Sequence, residues 1–486
     1  MAGSVQAAPG FDLQPSAQQI PLASNYINNF DFLNQYLPDT YEKEFERYGN
    51  RTVSSFLRLV GAEMPSNSDL IKWAEQGRLH TKYTQCGTAS AAGTDLVTFT
   101  VNDVQNPTFA GGASLALRVN QTVFVSFNSG AGSNKGIVTA RPAANTVTIA
   151  FYEAGGLAAA GTGAGNADCT IFVYGSEFNK GTVGMQGSLE ADDVFFDNKP
   201  IILKDKYAVS GSDMAQIGWV EVQTENGATG YLWYLKSEHE TRLRFDDYLE
   251  TAMLEAVPAE AASAAGDFLQ GTGAAGSAAN LNGSDGIFYT VGLRGNVWAG
   301  GNPNVLGDFD AMIQRLDKQG AIEENVIFVD RQFGFDIDDM LAAQNSYGAG
   351  GTSYGLFDND KEMALNLGFT GFRRGYDFYK SDWKYLNDPT MRGGLPTGAG
   401  SGRINGLLVP AGSTSVYDQI LGKNAKRPFL HVRYRASETE DRRYKTWITG
   451  SAGGARTSDL DAMEVNFLSE RAVCTLGANN FFLFQE

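Results

Sequence analysis

The chain has 486 residues, of which 43% are hydrophobic and 12% aromatic, so it can build a core and wholesale disorder is excluded. Its 55 acidic and 38 basic residues give a net charge of −17, which repels phosphate backbones and disfavours a dedicated nucleic-acid-binding protein. Charged residues make up only 19% of the chain, a composition that suits a surface in contact with other protein.

The cysteine count and the first 20 residues indicate in which cellular compartment the protein folds. Cys86, Cys169 and Cys474 are too few and too scattered for a disulfide framework, so we expect reduced thiols in a cytosolic fold. Residues 1–20 contain neither the basic nor the apolar segment of a signal peptide. No run of about 18 apolar residues occurs, so no transmembrane helix is predicted.

The N-terminal part predicts an extended arm followed by a helix. Residues 1–40 are polar and contain four prolines, which indicates a segment without a core of its own. Residues 41–62 predict a helix with an interrupted apolar stripe formed by Phe45, Val53, Phe56, Leu57 and Val60.

Residues 95–175 predict a small β-domain. Five short runs are rich in β-branched or aromatic residues and are bounded by Gly, Asn, Asp or Pro, which is typical of strands. Five strands in about 80 residues indicate a small barrel or sandwich, similar to SH3-like barrels. The runs are 96–101, 122–127, 136–140, 146–151 and 170–174.

Residues 180–230 predict a long two-stranded loop. The segments 194–196 and 200–203 are strand-like. Charged side chains next to them are expected near an exposed turn, namely Lys199, Lys204, Asp205 and Lys206.

Residues 231–256 predict the strongest helix, about 39 Å long, which Pro258 ends. Glu238 with Arg242 and Glu240 with Arg244 are favourable i,i+4 pairs. A helix this long and charged needs support along its length, as a spine across a flat domain or as a seam between subunits. Its apolar stripe consists of Leu232, Leu235, His239, Phe245, Leu249, Ala252 and Ala256.

The second half predicts an α+β domain. Asp308 is expected to cap a helix that ends before Gly320, and residues 326–329 predict a buried strand. The acidic residues Asp336, Asp338 and Asp339 are expected in the first turn of the next helix, from which Ile337, Met340 and Leu341 face inward. Further strands are predicted at 372–378, 407–409, 429–434, 444–449, 465–467 and 481–484.

Motifs for chemistry lack the context they require. The GxGxxG match at 271–276 lies in an Ala/Gly/Ser tract, and the GxSxG match around Ser353 follows no buried strand, although Asp358 and His431 come in triad order. The acidic clusters lack the ligand spacing of a calcium loop, and the three histidines stand alone. We therefore predict no catalytic, cofactor or metal site, and a protein that is not an enzyme.

The order of arm, helix, β-loop, charged spine helix, α+β domain and closing strand resembles the major capsid proteins of tailed bacteriophages, with the Hong Kong 97-type shell fold. The most specific stretch is 209–219, before 231–234 and the helix. It is similar to major capsid proteins of crAss-like podoviruses of gut bacteria.

The resemblance implies an α+β capsid fold with an inserted all-β barrel at 85–178. It implies an N-terminal arm at 1–60, an extended loop at 61–84 and 179–230, and an axial domain at 301–425. The peripheral domain would be 231–300 and 426–486. Candidate assembly contacts would be Lys199, Lys204, Asp205, Lys206, Arg242, Arg244, Arg373 and Arg374.

The implied function is self-assembly of hexamers and pentamers into an icosahedral head around double-stranded DNA. Implied partners are the chain itself, a portal, a separate scaffold protein, because no charged scaffolding helix opens the chain, and possible decoration proteins. DNA contact would be weak and non-specific, and no membrane is implied. The location would be the virion, after assembly in the host bacterial cytoplasm.

Three alternatives remain open at this stage. The barrel could bind glycans or proteins as a surface module, and Ser353 could serve a hydrolase. The chain could also be another virion part, such as a tail-tube subunit.

Overall fold

The computed structural model of the chain describes residues 56–57, 62–76, 82–88, 96–101, 115–127, 132–154, 169–188, 193–216, 221–223, 229–260, 263–270, 283–299, 301–320, 322–345, 370–398, 400–418, 423–452 and 456–486. The described residues form two compact units. One contains those up to Trp73 and from Asp197 onwards, and the other contains those from Ala74 to Phe196. Within these ranges, no helix is both long and apolar enough to cross a bilayer.

The strands are numbered in chain order. They are β1 (Ala62–Ser66), β2 (Ile71–Gln76), β3 (Lys82–Thr88), β4 (Leu96–Val101), β5 (Gln121–Phe127), β6 (Ser133–Ala143), β7 (Thr146–Phe151), β8 (Cys169–Ser176), β9 (Asp193–Asn198), β10 (Ile201–Ser210), β11 (Glu221–Gln223), β12 (Thr229–Tyr231), β13 (Asn296–Ala299), β14 (Glu324–Val329), β15 (Gly371–Arg374), β16 (Tyr376–Asp382), β17 (Ile404–Pro410), β18 (Ser413–Asp418), β19 (Lys423–Pro428), β20 (Leu430–Arg435), β21 (Lys445–Gly450), β22 (Ala462–Thr475) and β23 (Phe482–Gln485).

Seven α-helices accompany them in the described ranges, and Phe56 and Leu57 are also helical. Of the predicted N-terminal helix, 41–55 and 58–61 lie outside the described residues, and its last residue, Ala62, already belongs to β1. The helices are α1 (Gly211–Gln216), α2 (Leu232–Glu255), α3 (Ala264–Gln270), α4 (Ile287–Arg294), α5 (Leu306–Gln319), α6 (Arg331–Asn345) and α7 (Lys384–Asn387).

The smaller unit contains a closed barrel with the strand order β3-β4-β7-β6-β5-β8. Side chains along its strands alternate between the core and the outside, as in β4, where Val97, Phe99 and Val101 are buried. The predicted barrel is therefore confirmed, with six strands instead of five. The missed strand β3 contains Gln85 at φ 59° and an irregular register before Cys86, and its sequence has no β-branched run.

A six-stranded mixed sheet, β13-β23-β17-β14-β16-β15, forms one half of the larger unit. Every residue of β17 is buried, because this sheet is covered on both faces. Leu408 faces the cluster with the helices α5 and α6, while Leu407 faces a second cluster with α4, α7 and the end of α2. The inward positions predicted in α6, Ile337, Met340 and Leu341, all pack in the first cluster.

The other half is a five-stranded sheet with the order β1-β20-β22-β10, in which β21 also pairs with β22. The edge strand β10 pairs with β22 over ten residues, from Ile201 opposite Arg471 to Ser210 opposite Ala462. Lys199 thus lies in the turn before this strand, whereas Lys204, Asp205 and Lys206 lie inside the strand itself. The reason is that β22, 14 residues long, offers pairing over the whole segment.

Two helix starts also differ from the prediction. The N-cap of α5 is Val305, so Asp308 lies in the first turn and does not cap the helix; its Oδ2 accepts the Asn304 N–H at 3.2 Å. The next helix, α6, begins at Arg331, and Asp330 Oδ1 accepts the Phe333 N–H at 2.7 Å as a cap. The predicted acidic first turn, with Asp336, therefore lies further inside the helix.

Three further strand pairs, β2-β9, β11-β12 and β18-β19, are two-stranded sheets. Strand β2 is attached to the larger unit through its first residue, Ile71, which packs on Ala472 and Cys474 of β22. In β9, Val194 is 47% and Phe195 69% exposed. A two-stranded ribbon is marginally stable by itself in water, so such elements gain stability from additional contacts.

Candidate assembly surface

The helix α2 lies against the five-stranded sheet of the larger unit. Phe245 and Leu249 pack on Met463, Val465 and Phe467 of β22, and the Phe245 and Phe467 rings are 5.7 Å apart. The helix has 24 residues and is about 36 Å long. The predicted long helix is thus confirmed as an element, and its role as a spine stays a prediction.

The C-terminal end of α2 is fastened by a half-buried polar cluster. Arg392 Nε donates to Glu255 Oε1 at 2.5 Å, and its Nη2 pairs with Oε2, so the ion pair is bidentate. Tyr385 Oη donates to the same Oε1 at 2.5 Å, and burial together with this carboxylate raises the pKa of Tyr385. The Arg392 guanidinium also lies 5.3 Å from the Phe288 ring centroid.

Three of the predicted assembly residues, Arg244, Asp205 and Lys206, form ion pairs within the chain. Arg244 Nε lies 3.0 Å from Asp205 Oδ2, which ties the helix to β10. Lys206 Nζ lies 2.9 Å from Glu464 Oε1, across the β10–β22 pairing. Both cations are more than half exposed, so each pair contributes less than about 1 kcal/mol. Their role between subunits stays a prediction.

The predicted assembly residues Lys199, Lys204 and Arg242 lie on or near β10. Lys204 and Arg242 have exposed side chains on β10 and α2. Lys199 lies in the turn before β10, where its N–H donates to Asn198 Oδ1 at 2.8 Å. Asn198 is 4% exposed and donates to the Val473 carbonyl at 2.7 Å, so the turn is anchored on β22. The sequence does not identify Asn198 as this anchor, because its only local feature is its position next to a turn.

Arg373 and Arg374 lie on β15, an edge strand of the six-stranded sheet. Arg374 Nη2 donates to Asp310 Oδ2 at 2.7 Å, and this hydrogen-bonded guanidinium lowers the pKa of Asp310. Arg373 Nε lies 3.2 Å from Asp377 Oδ1. The structure therefore gives both arginines acidic partners in their own chain, far from the β10 group in sequence.

The Arg-rich segment 433–443 of this acidic chain is expected to pair with acidic neighbours and not to contact DNA, but the sequence does not show which residues these are. Glu470, 7% exposed, lies 2.7 Å from Arg442 Nε and 3.4 Å from Arg435 Nη1. Glu63 of β1 pairs with Arg443 and lies 3.6 Å from Arg471 Nη1. These pairs join β1, β20, β22 and the segment before β21. The only available signal was the basic run itself, because its partners are distant along the chain.

A cavity of about 650 Å³ lies beside this network, between α2 and the sheet. Its lining includes both charge signs, with Asp246 and Glu250 from the helix and Arg443 and Arg471 from the sheet side. Glu250 Oε1 accepts the Phe56 N–H at 3.0 Å, so the short helical segment before β1 is also fastened here.

The motifs for chemistry are not assembled by the described structure. The GxGxxG match, Ser353, Asp358 and His80 lie outside the described residues. Of the acidic cluster in α6, Asp338 pairs with Lys380 at 2.5 Å and Asp336 accepts the Asn302 amide at 2.7 Å. Within the described part of the chain, no group of three potential ligands could hold a metal ion.

The described histidines are His239, exposed on α2, and His431, buried on β20 opposite Cys474. Burial, together with the charges of Arg433 and Arg427, lowers the pKa of His431 to about 4. The folded state therefore keeps the imidazole neutral, while the unfolded chain binds a proton below about pH 6.5.

Acid is accordingly expected to destabilise the larger unit through His431. His431 does not lower the free energy of unfolding above pH 6.5. As the pH falls from 6.5 to 4, protonation of His431 in the unfolded chain lowers this free energy by about 3 kcal/mol. Urea unfolding of the wild type and of His431→Gln between pH 7 and 4.5 measures the difference. A pH slope that is identical in both proteins would contradict the assignment to His431.

The three cysteines are free and buried, and Cys86 and Cys169 are direct register partners across β3 and β8. Burial raises the pKa of the Cys474 thiol to about 12, so it stays protonated at neutral pH.

No protein-family model and no curated protein matches the chain. Solved structures of low similarity include a chain from Microbacterium phage Oxtober96, at 11% identity and a TM-score of 0.39, covering 95% of this chain and 99% of that one. The bacteriophage PhiM1 mature capsid asymmetric unit gives 9% identity and a TM-score of 0.32, covering 64% and 78%. The cyanophage Pam1 capsid asymmetric unit gives 14% and 0.34, covering 64% and 82%. Because identities and TM-scores are low, we base the function on this chain's own geometry.

Proposed function

We propose that this chain is the major capsid protein of a tailed bacteriophage, with the Hong Kong 97-type fold and closest in kind to the crAss-like group. It would assemble as hexamers and pentamers into an icosahedral head. The observation that carries the proposal is the combination of a supported spine helix with two-stranded ribbons and long sheet edges that expose large apolar side chains. Such elements are stabilised by burial against neighbouring copies.

The exposed apolar residues are placed where lateral contact would use them. Phe195 lies on the β2–β9 ribbon, Ile202 on the edge strand β10 and Ile448 on β21, and each is at least 45% exposed. Stable protein interfaces bury about 1,600 Å² each, and a shell subunit needs several of them. Ribbons and edge strands provide this area without a larger core.

The remaining assignments follow from the same proposal. The arm would be 1–60, the extended loop 61–84 with 179–230, and the axial domain 301–425. The peripheral domain would be 231–300 with 426–486, and the barrel insertion 85–178. Partners would be a portal, a scaffold and decoration proteins. The net charge of −17 suits a container, because packaged DNA would then be held only weakly.

Electron microscopy and sedimentation of the purified full chain, with and without the scaffold protein of its phage, test the proposal. Closed shells with pentamers and hexamers are the expected result. Open cylinders would favour a tail tube, and a monomer under all conditions and in its native source would overturn the proposal.

A substitution on the ribbon tests the geometric argument. Phe195→Asp is expected to raise the concentration needed for assembly at least tenfold, because it removes exposed apolar surface and adds a charge at a contact. Gln76→Asp is the matched control, since Gln76 is an exposed polar residue on the same ribbon. Equal assembly of the two variants would argue against a contact at Phe195.

A further inference from the structure

The outer wall of the barrel carries a cross-strand row of two aromatic and two basic side chains. Phe172 of β8 lies opposite Phe124 of β5, with ring centroids 5.2 Å apart and planes tilted by 35°. Lys82 of β3 is the register partner of Phe172, and Lys135 of β6 is the partner of Phe124. With strands about 4.8 Å apart, the row extends over about 14 Å along the wall.

Two tyrosines extend this row. Tyr174 follows Phe172 on the same face of β8, and Lys135 Nζ lies 5.8 Å from its ring centroid. Tyr152 is next to Lys135, whose carbonyl accepts the Tyr152 N–H at 3.1 Å. Both tyrosines are 50% exposed. We call the six residues the barrel platform: Lys82, Phe124, Lys135, Tyr152, Phe172 and Tyr174.

The barrel platform is not needed to fill the barrel. The interior is occupied by the alternate residues of the same strands, such as Val123, Val125 and Ile171, which are at most 1% exposed. Three of the barrel platform's four rings, those of Tyr152, Phe172 and Tyr174, are exposed, and contiguous exposed rings mark ligand surfaces on soluble proteins. The rings thus need a role outside the folding of the barrel.

One edge of the platform carries a hydrogen-bonded carboxylate. Tyr152 Oη donates to Glu177 Oε2, and burial together with this bond raises the pKa of Tyr152 to about 12. The phenol therefore stays protonated at neutral pH, and the carboxylate stays beside the rings as an acceptor.

We propose that the barrel platform binds an acidic polysaccharide, a polymer of pyranose rings that carry carboxylates. The C–H faces of the sugars would stack on Phe172 and Tyr174, as apolar ring surfaces do. The sugar carboxylates would pair with Lys82 and Lys135 at the two ends of the row. Glu177 would accept hydrogen bonds from sugar hydroxyls.

Single-stranded nucleic acid would also use aromatic rings and lysines. Two features of this chain favour the sugar polymer. Glu177 would meet phosphates that offer it no donors, and the net charge of −17 repels a polymer with a charge at every unit. A carboxylated polysaccharide is less densely charged when its acidic sugars alternate with neutral ones, and it presents hydroxyl donors throughout.

The test uses the full chain and fluorescence anisotropy of labelled oligosaccharides. The probes are a hyaluronate fragment, whose acidic sugars alternate with neutral ones, oligogalacturonate and alginate fragments, which are charged at every sugar, a neutral dextran fragment of similar length, and an oligo-dT strand. Saturable binding of at least one acidic probe is expected, tighter than dextran and oligo-dT and weakened by salt. No binding of any acidic probe, or equal binding of dextran, would overturn the proposal, and so would a preference for oligo-dT.

Variants locate the site. Tyr174→Ala and Phe172→Ala are expected to weaken binding of the acidic probe at least tenfold, and Lys135→Gln to reduce its salt dependence. Tyr379→Ala is the matched control, since Tyr379 is 52% exposed in the other unit. Circular dichroism checks folding, and Lys135→Gln remains informative if an aromatic variant fails to fold.

Unchanged affinity in the platform variants would overturn the proposal. Shell assembly by these variants would be unaffected, so this outcome is separate from the capsid proposal.

Discussion

Replacement of Arg392 by alanine is expected to lower the free energy of unfolding of the larger unit by about 3 kcal/mol. The substitution leaves Glu255 without its bidentate partner, in a half-buried site where Tyr385 is its other donor. It also removes the cation over the Phe288 ring. Because Glu255 is the last residue of α2, the end of the spine helix should loosen from the segment that follows α7.

Tryptophan fluorescence during urea unfolding measures this effect selectively. All six tryptophans lie outside residues 74–196, so the signal reports the larger unit and not the barrel unit. Trp383 lies in the core beside the substitution, with its ring centroid 5.7 Å from that of Tyr385. The tryptophans are Trp73, Trp219, Trp233, Trp298, Trp383 and Trp447.

Two milder variants separate charge from geometry. Arg392→Lys keeps the charge but cannot form the two parallel hydrogen bonds, so an intermediate loss is expected. Tyr385→Phe removes one donor and should cost about 1 kcal/mol. If Arg392→Ala were as stable as the wild type, the clamp would contribute nothing and α2 would be held by its apolar face alone.

The barrel illustrates what the sequence can predict. Strands such as β4 and β7 alternate apolar and polar residues because one face fills the barrel, and that period is visible in the sequence. Strand β3 was missed because its pairing depends on a left-handed residue, Gln85, and on neighbours in β4 and β8.

The long strands of the five-stranded sheet were predicted only in part. In β22, Glu470 and Arg471 are buried, although such residues are usually exposed. They are tolerated because Arg442 and Glu63 supply opposite charges from distant segments. A local pattern cannot contain this information, so the sequence predicted only residues 465–467 of this strand.

The predicted assembly residues show the same limit. Arg244 and Lys206 could be recognised as charged and exposed, but their partners Asp205 and Glu464 lie up to 258 residues away. The sequence therefore shows that these residues are charged, but it does not show that the chain pairs some of them internally.

Phe245→Ala is expected to destabilise the larger unit by about 3–5 kcal/mol, the largest effect of a single substitution that we predict. Phe245 is fully buried between α2 and the sheet, with ring contacts to Phe467 and Tyr444 at 5.7 and 5.4 Å. Its removal leaves a cavity lined by Leu249, Met463, Val465 and Phe467, which the surrounding helix and strand can fill only in part. Urea unfolding followed by tryptophan fluorescence measures the loss.

Tyr248→Ala on the same helix is the matched control. Tyr248 is 46% exposed, so its removal should change stability by less than about 0.5 kcal/mol. A large loss for Phe245→Ala with little change for Tyr248→Ala would establish that α2 is held by one face, which leaves its outer face free for a neighbouring copy. Equal losses would mean that both faces of the helix are already used within the chain, and the role of α2 as a spine open to lateral contact would then be wrong.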